Sequence, residues 1–205
     1  MKKYINSSPL WLRTLYPRGL IWDIETGRPE IFLTFDDGPV PGATPWVLDT
    51  LGKYNIQATF FCVGENVENH PEIYAEVLAQ GHSVGNHTFH HVKAWKTDYY
   101  TYLSEVGQCG NLVKSPLFRP PHGQITRKLA LELRKEYHII MWSVLTGDYD
   151  RSLSGKQCLA NAVKHTKPGA IIVFHDSQKA NERLVYALPQ YIDYCLQQGF
   201  SFRKM

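Results

Sequence analysis

The stretch I-F-L-T-F-D-D-G-P, residues 31–39, decides the fold. Ile31 to Phe35 are apolar, aromatic or β-branched, the composition of a buried strand. Gly38-Pro39 then stops the strand in a turn. Asp36 and Asp37 stand where strand becomes turn. Neighbours on a regular strand point to opposite faces, but a turn can break that alternation and aim both carboxylates into one pocket. Two adjacent carboxylates beside an apolar strand need compensation. A metal ion on one and a cationic side chain on the other would supply it. The plain alternative is an Asp-Gly turn whose acids cap backbone N–H groups.

Outward from this stretch, the chain alternates. Helices are expected over residues 44–54, 65–80, 98–113, 126–136, 154–165 and 181–198. Further strands are expected over 57–63, 82–86, 117–119, 138–144, 170–174 and 200–203. About seven strands with helices between nearly all of them predict parallel pairing with crossover helices. Several strands are apolar throughout, as strands covered on both faces should be. The expectation is an α/β fold, a distorted (β/α) barrel, with an open doubly wound sheet as the alternative. No G-x-G-x-x-G or P-loop favours nucleotide binding.

With 205 residues, 43% apolar and 20% charged, the composition is that of one globular domain with a substantial core. The net charge of +3 and the lack of a Lys/Arg run argue against a nucleic-acid partner. No protein partner is evident. Cys62, Cys109, Cys158 and Cys195 are widely spaced and read as reduced, mostly buried thiols. Residues 1–29 read as a segment packing on a domain that runs over 30–205. Ser7, Ser8, Pro9, Arg13, Pro17 and Arg18 interrupt its apolar residues, which argues against a signal peptide or a membrane span. A cytoplasmic location follows. Leu10, Trp11, Leu12, Leu15 and Trp22, with Arg13 and Arg18 among them, leave a peripheral contact with the inner membrane face as a possibility.

In β/α folds the working loops lie at the carboxyl ends of the strands. Asp36 and Asp37 follow the first strand, and His87 and His91 the third. Arg119 ends the fourth, Asp148 lies past the fifth, and His175-Asp176 follows the sixth. All fall on one face of the inferred barrel. His87 and His91 are four apart, so a helical turn would put both imidazoles on one ion, with His90 a competitor. Two histidines and a carboxylate leave a coordination position open, the pattern of a catalytic metal site. His175, oriented and charged by Asp148, would make a competent proton donor. Arg119, stiffened by Pro120-Pro121, could pair with one of the aspartates.

T-F-D-D-G-P, H-T-x-x-H, R-P-P-x-G, a W-S-V-x-x-x-D stretch and a V-F-H-D stretch occur in that order. From about Glu30 to the C-terminus the chain resembles the polysaccharide deacetylases of carbohydrate esterase family four, which include the nodulation-type chitooligosaccharide deacetylases. The resemblance implies a distorted (β/α) barrel and a metal-dependent hydrolase that removes N-acetyl groups from an N-acetylglucosamine-containing saccharide, releasing acetate. It implies that Asp37, His87 and His91 bind a divalent metal, most often Zn²⁺, that Asp36 is the general base, and that Arg119 holds Asp36. His175 would be the general acid with Asp148 as its partner, and the His122 N–H would help form the oxyanion hole. Pro121, Trp142, Tyr149 and Val173 would contact the saccharide. Three positions depart from the family pattern. His122 stands where Tyr is common, Tyr149 where Trp is common, and Leu145 where an acid is common. A peptidoglycan precursor, a chitooligosaccharide and a lipid-linked sugar all present the same acetamide. A metal-dependent amidohydrolase acting on a non-sugar amide, and an inactive carbohydrate-binding member of the fold, are the alternatives.

Overall fold

The structure, a computed structural model, describes residues 7–205. In chain order the elements are α1 (Leu10–Arg13), β1 (Glu30–Asp36), α2 (Ala43–Lys53), β2 (Thr59–Cys62), α3 (Gly64–Asn69), α4 (Pro71–Ala79), β3 (Ser83–Asn86), α5 (Tyr99–Leu112), β4 (Leu117–Phe118), α6 (Arg127–Leu133), β5 (His138–Ile139), β6 (Val144–Leu145), α7 (Gly155–His165), β7 (Ile171–His175), α8 (Asn181–Gln197) and β8 (Ser201–Arg203). The strands pair in the order β5-β4-β3-β2-β1-β7-β6, with β8 also on β1. Every pair is parallel. This is the distorted barrel expected from the alternation of strands and helices.

Two expected elements divide. The strand expected over 138–144 is two short strands, β5 and β6, at opposite ends of the sheet order. Residues 140–143 cross between them and close the barrel by chain connection instead of a strand ladder. The crossing is satisfied from elsewhere. Ile21 N–H donates to the Ile139 carbonyl, Met141 N–H donates to the Ile21 carbonyl, and Ser8 N–H donates to the Ser143 carbonyl. The segment after residue 7 therefore patches the seam, and Arg13 ties it down by an ion pair of 2.8 Å to Asp23. The helix expected over 65–80 breaks at His70, whose φ of −136° is not helical. Pro71, which lacks an N–H to continue a helix, opens α4 instead.

Strand alternation sorts the side chains. On β1, Ile31, Leu33 and Phe35 face the helices and join the main core with Val47, Leu51, Phe60 and Leu188. Phe32 faces the barrel interior with Phe61, Leu117, Ile140 and Ile171. The inward parity of β1 continues through Thr34 to Asp36. Its register partners on β7 are Ile171, Val173 and His175. The barrel thus rises from an apolar floor, Phe32 and Ile171, to a charged mouth, Asp36 and His175. All four cysteines are free and buried. Among the described residues no helix is long and apolar enough to cross a membrane.

Candidate active site

Strand geometry alone delivers half of the site. Asp36 and His175 are register partners on neighbouring strands. His87, one residue past β3, and Arg119, one past β4, continue the inward parity of their strands. Arg119 is fully buried and acts as a hub. Its Nη1 donates to Asp36 Oδ1 at 2.6 Å and to Thr34 Oγ1 at 2.7 Å. Its Nε and Nη2 donate to the carbonyls of Ile140 and Met141 in the seam. Its guanidinium lies 4.0 Å from the Phe61 ring centroid. One side chain therefore fixes the Asp36 carboxylate and closes the barrel.

The other half depends on left-handed backbone. Asp37 (φ 85°), His91 (φ 55°) and His122 (φ 58°) all have positive φ, as does Thr88 (φ 63°). Such conformations cost roughly 1–3 kcal/mol each for non-glycine residues and persist only where surroundings impose them. At Asp37 the left-handed turn undoes the strand alternation, so Asp36 and Asp37 both line the same pocket. That turn is clamped from three sides. Asn66 Nδ2 donates to the Asp37 carbonyl at 2.7 Å. The buried Asp176 accepts from Gly38 N–H at 3.1 Å and from Thr44 Oγ1 at 2.7 Å. Gly38 is glycine because Asp176 occupies the space a Cβ would need. Burial, reinforced by the charge of Asp37, pushes the Asp176 carboxyl up to about 8. The loop carrying His87 and His91 is not a helical turn. Its left-handed residues fold it back, and Asn86 Oδ1 accepts from Thr88 N–H at 2.9 Å.

Asp37 Oδ1 lies 3.2 Å from His91 Nε2 and 3.8 Å from His87 Nε2. One ligand atom from each of the three lies within 4.8 Å of the others, a set that could hold a metal ion. The donor set fits a divalent cation. His87 Nδ1, 2.7 Å from the Arg119 carbonyl, must be the protonated nitrogen, so the Nε2 lone pair faces Asp37 and His91. That outer partner is the usual way a ligand histidine is oriented. Burial, with the nearby His91 charge, lowers His87 to about 4 and keeps it neutral. Burial disfavours the Asp37 anion, yet the hydrogen bond from His91 and the charges of His175, His91 and His87 hold it well below the usual carboxylate range. His90 is not part of this set. Its Nδ1 pairs with Glu105 at 2.8 Å on the outside of the loop.

Across the pocket, Asp148 takes both polar groups of His175. Its Oδ2 accepts the backbone N–H and its Oδ1 accepts Nδ1–H, each at 2.7 Å. Burial alone would lower the His175 pKa. The charge and hydrogen bond of the fully buried Asp148 overcome it and raise His175 to about 9. The imidazole therefore carries its Nε2 proton at neutral pH.

The pocket encloses ≈ 240 Å³ and is lined by Asp36, Asp37, His87, His91, His122, Trp142, Leu145, Tyr149, Val173, His175 and Lys179. Of the four expected saccharide contacts, Trp142, Tyr149 and Val173 are on the lining. Pro121 is not. It is buried beneath the turn that presents His122. Gly123 follows in that turn with φ 66°, and the Trp142 ring packs where its Cβ would be. The sequence places Asp176 beside His175 on the working face but assigns it no role, and it carries no signal for Lys179, Asn66 or Thr34.

Residues 23–139 match the family model described as polysaccharide deacetylase. A peptidoglycan-N-acetylglucosamine deacetylase of Bacillus cereus is 33% identical over 198 residues, covering 93% of each chain. A chitooligosaccharide deacetylase of Bradyrhizobium is 32% identical over 165 residues, 77% of this chain and 75% of its own. The crystal structure of the Bc1960 peptidoglycan N-acetylglucosamine deacetylase superposes with a TM-score of 0.87 at 28% identity, covering 96% of this chain and 94% of that one. The chain belongs to the polysaccharide deacetylase family and is a hydrolase of the N-deacetylase type.

Proposed function

We propose that the chain is a metal-dependent N-deacetylase that hydrolyses the acetamide of an N-acetylglucosamine-containing saccharide, releasing acetate. The observation that carries this reading is one pocket holding three parts. These are the Asp37–His87–His91 set, a carboxylate fixed by arginine, and a histidine kept protonated by aspartate. The similarity to saccharide deacetylases supports the sugar over a plain amide.

Asp37, His87 and His91 would hold a divalent ion, and the two-nitrogen, one-oxygen donor set suits Zn²⁺. When bound, such an ion supplies a Lewis acid at the acetamide carbonyl and lowers the pKa of water. Asp36 would act as general base, taking the proton of the attacking water. Arg119 holds that carboxylate in place at 2.6 Å. The backbone N–H of His122 would donate to the oxygen that gains charge as the carbonyl becomes tetrahedral. His175 would deliver its Nε2 proton to the departing amine, with Asp148 holding the ring in place through Nδ1–H. Trp142, Tyr149 and Val173 form an apolar wall suited to a sugar ring or its acetyl methyl. Residues 30–205 would form the catalytic domain, with residues 7–29 a segment packing on it; residues 1–6 of the expected N-terminal segment lie outside the described residues.

The direct test is acetate release from N-acetylglucosamine oligomers beside simple N-alkyl acetamides. The expected result is turnover of the oligomers at a kcat/KM at least about a hundredfold higher, since remote binding energy is spent on orientation. Equal rates on both would move the reading to a general amidohydrolase.

A further inference from the structure

A second concave feature lies between the segment before β1 and α6. It is a groove of ≈ 710 Å³ lined by Thr14, Leu15, Tyr16, Pro17, Arg18, Ile125, Arg127, Leu131 and Arg134. Three of these residues are arginines and none is acidic. Arg127, Leu131 and Arg134 fall at i, i+4 and i+7 and so share one side of α6 and its cap. The acids of the same region, Glu132 and Glu136, line a separate hollow with Leu103 and Val106. Lys128 also turns away, its Nζ 3.8 Å from the Tyr99 ring centroid.

The groove and the short helix α1 just before it carry bare apolar side chains. Leu10 is 77% exposed, Trp11 60% and Leu15 74%, and Leu131 adds a fourth exposed apolar side chain. Trp11 and Leu15 are four apart across the end of α1, where Leu15 N–H donates to the Leu12 carbonyl. Protruding Trp and Leu around an acid-free arginine groove combine apolar insertion with attraction for negative headgroups. Neither half alone would distinguish a membrane from a protein or a soluble anion. Together they complement an anionic bilayer.

We infer that this face is a docking surface for an anionic phospholipid membrane, with headgroup phosphates in the arginine groove and Trp11 and Leu15 in the interfacial layer. Two aromatic contacts link the groove to the wall of the active-site pocket. Tyr16 of the groove contacts Trp22 at 5.1 Å, and Trp22 contacts Trp142 of the pocket wall at 6.4 Å between ring centroids. A docked chain would therefore hold its pocket near saccharides displayed at the membrane surface.

The test is co-sedimentation of the full chain with phosphatidylcholine vesicles, with and without one third phosphatidylglycerol, at low and high salt. This readout is independent of the deacetylase reading. Binding is expected only to the anionic vesicles and should weaken with salt. Arg18→Ala with Arg127→Ala should lower the partition constant by about thirtyfold, since each surface arginine contributes about a factor of five. Trp11→Ser should lower it while leaving salt dependence in place. All three residues are exposed, so circular dichroism should be unchanged. Equal binding to neutral vesicles, or anionic binding insensitive to the arginine pair, would overturn the inference. Failure to bind, together with a dimer in light scattering that Trp11→Ser dissolves, would assign the face to a second copy.

Discussion

Two kinds of backbone hold the pocket, and they differ in what secures them. Asp36, His175, His87 and Arg119 stand on the inward parity of regular strands. Asp36, His175 and His87 are placed by ladders whose register runs over several residues, and Arg119 by the short β4 that pairs on both sides. Asp37, His91 and His122 stand on left-handed residues in loops, and no ladder holds them. Asn66 and Asp176 hold the Asp37 turn and Asn86 the loop that carries His91, while isolated backbone hydrogen bonds support these loops and the His122 turn. The proton-handling side chains thus come chiefly from the strands. The proposed metal ligands come largely from the loops. Damage to the two regions should look different.

The largest expected effect is on the strand side. Replacing Arg119 with Leu leaves Asp36 buried without its partner and frees the Ile140 and Met141 carbonyls. Breaking a buried pair in this way costs about 3–5 kcal/mol. The urea midpoint should fall accordingly, and a shift under about 1 kcal/mol would show that the seam is held elsewhere. Asp36→Asn keeps the shape and the arginine contact. It should lower kcat by about 10²–10⁴, the usual worth of a positioned base, with metal content unchanged. Loss of the ion in that variant would blur the distinction between the two regions.

On the loop side, Asp176→Ala removes the acceptor for Gly38 N–H and Thr44 Oγ1. It should weaken metal affinity by about 10–100-fold, as outer supports of ligands do, and destabilise the fold by about 1–3 kcal/mol. Zinc titration against a competing chelator reads the first, and denaturant unfolding the second. Unchanged affinity would mean that the left-handed turn at Asp37 needs no clamp.

The mildest effect concerns pH. His175 is raised to about 9, so its acid form persists through neutrality and is lost as pH rises through about 9. The alkaline limb of the kcat/KM profile should fall there. Asp148→Asn removes the charge that raises it, so the limb should move down toward the ordinary histidine value of about 6.5. The linked stability has the same sign. The His175–Asp148 pair contributes fully below about 6.5 and its contribution disappears as pH rises to about 9. A limb that stays in place in the variant would assign the acid to another group.

The same division explains what could be read from the sequence. Residues 31–35 are apolar or β-branched and residues 170–174 are apolar throughout, and this composition marks two central strands and the polar residues at their ends. His87 and Arg119 are legible in the same way, as polar residues at the ends of the third and fourth strands. The pairing of His87 with His91 was anticipated from four-residue spacing, yet a helical turn does not join them. Left-handed residues at Thr88 and His91 bring the rings together, and positive φ at non-glycine positions leaves no compositional mark. The break of 138–144 into β5 and β6 was equally hidden. Its residues are apolar except for His138 and Ser143, and the hydrogen bonds from Arg119 and the segment through Ile21 that hold residues 139–141 leave no mark on composition. The family resemblance implies a saccharide contact for Pro121, but the turn buries it. Asp176 is visible at the end of its strand, but a buried clamp resembles any strand-end acid until its partners are known.

The central claim is that Asp37, His87 and His91 hold the ion on which acetamide hydrolysis depends. The measurement that tests it most directly is metal content with acetate release from N-acetylglucosamine oligomers, before and after chelation. The expected result is about one divalent ion per chain, a set that three protein ligands and an open position define. Turnover should be abolished by chelation and restored by Zn²⁺. Undiminished acetate release from the metal-free protein, or a full complement of ion in His87→Ala, would contradict it.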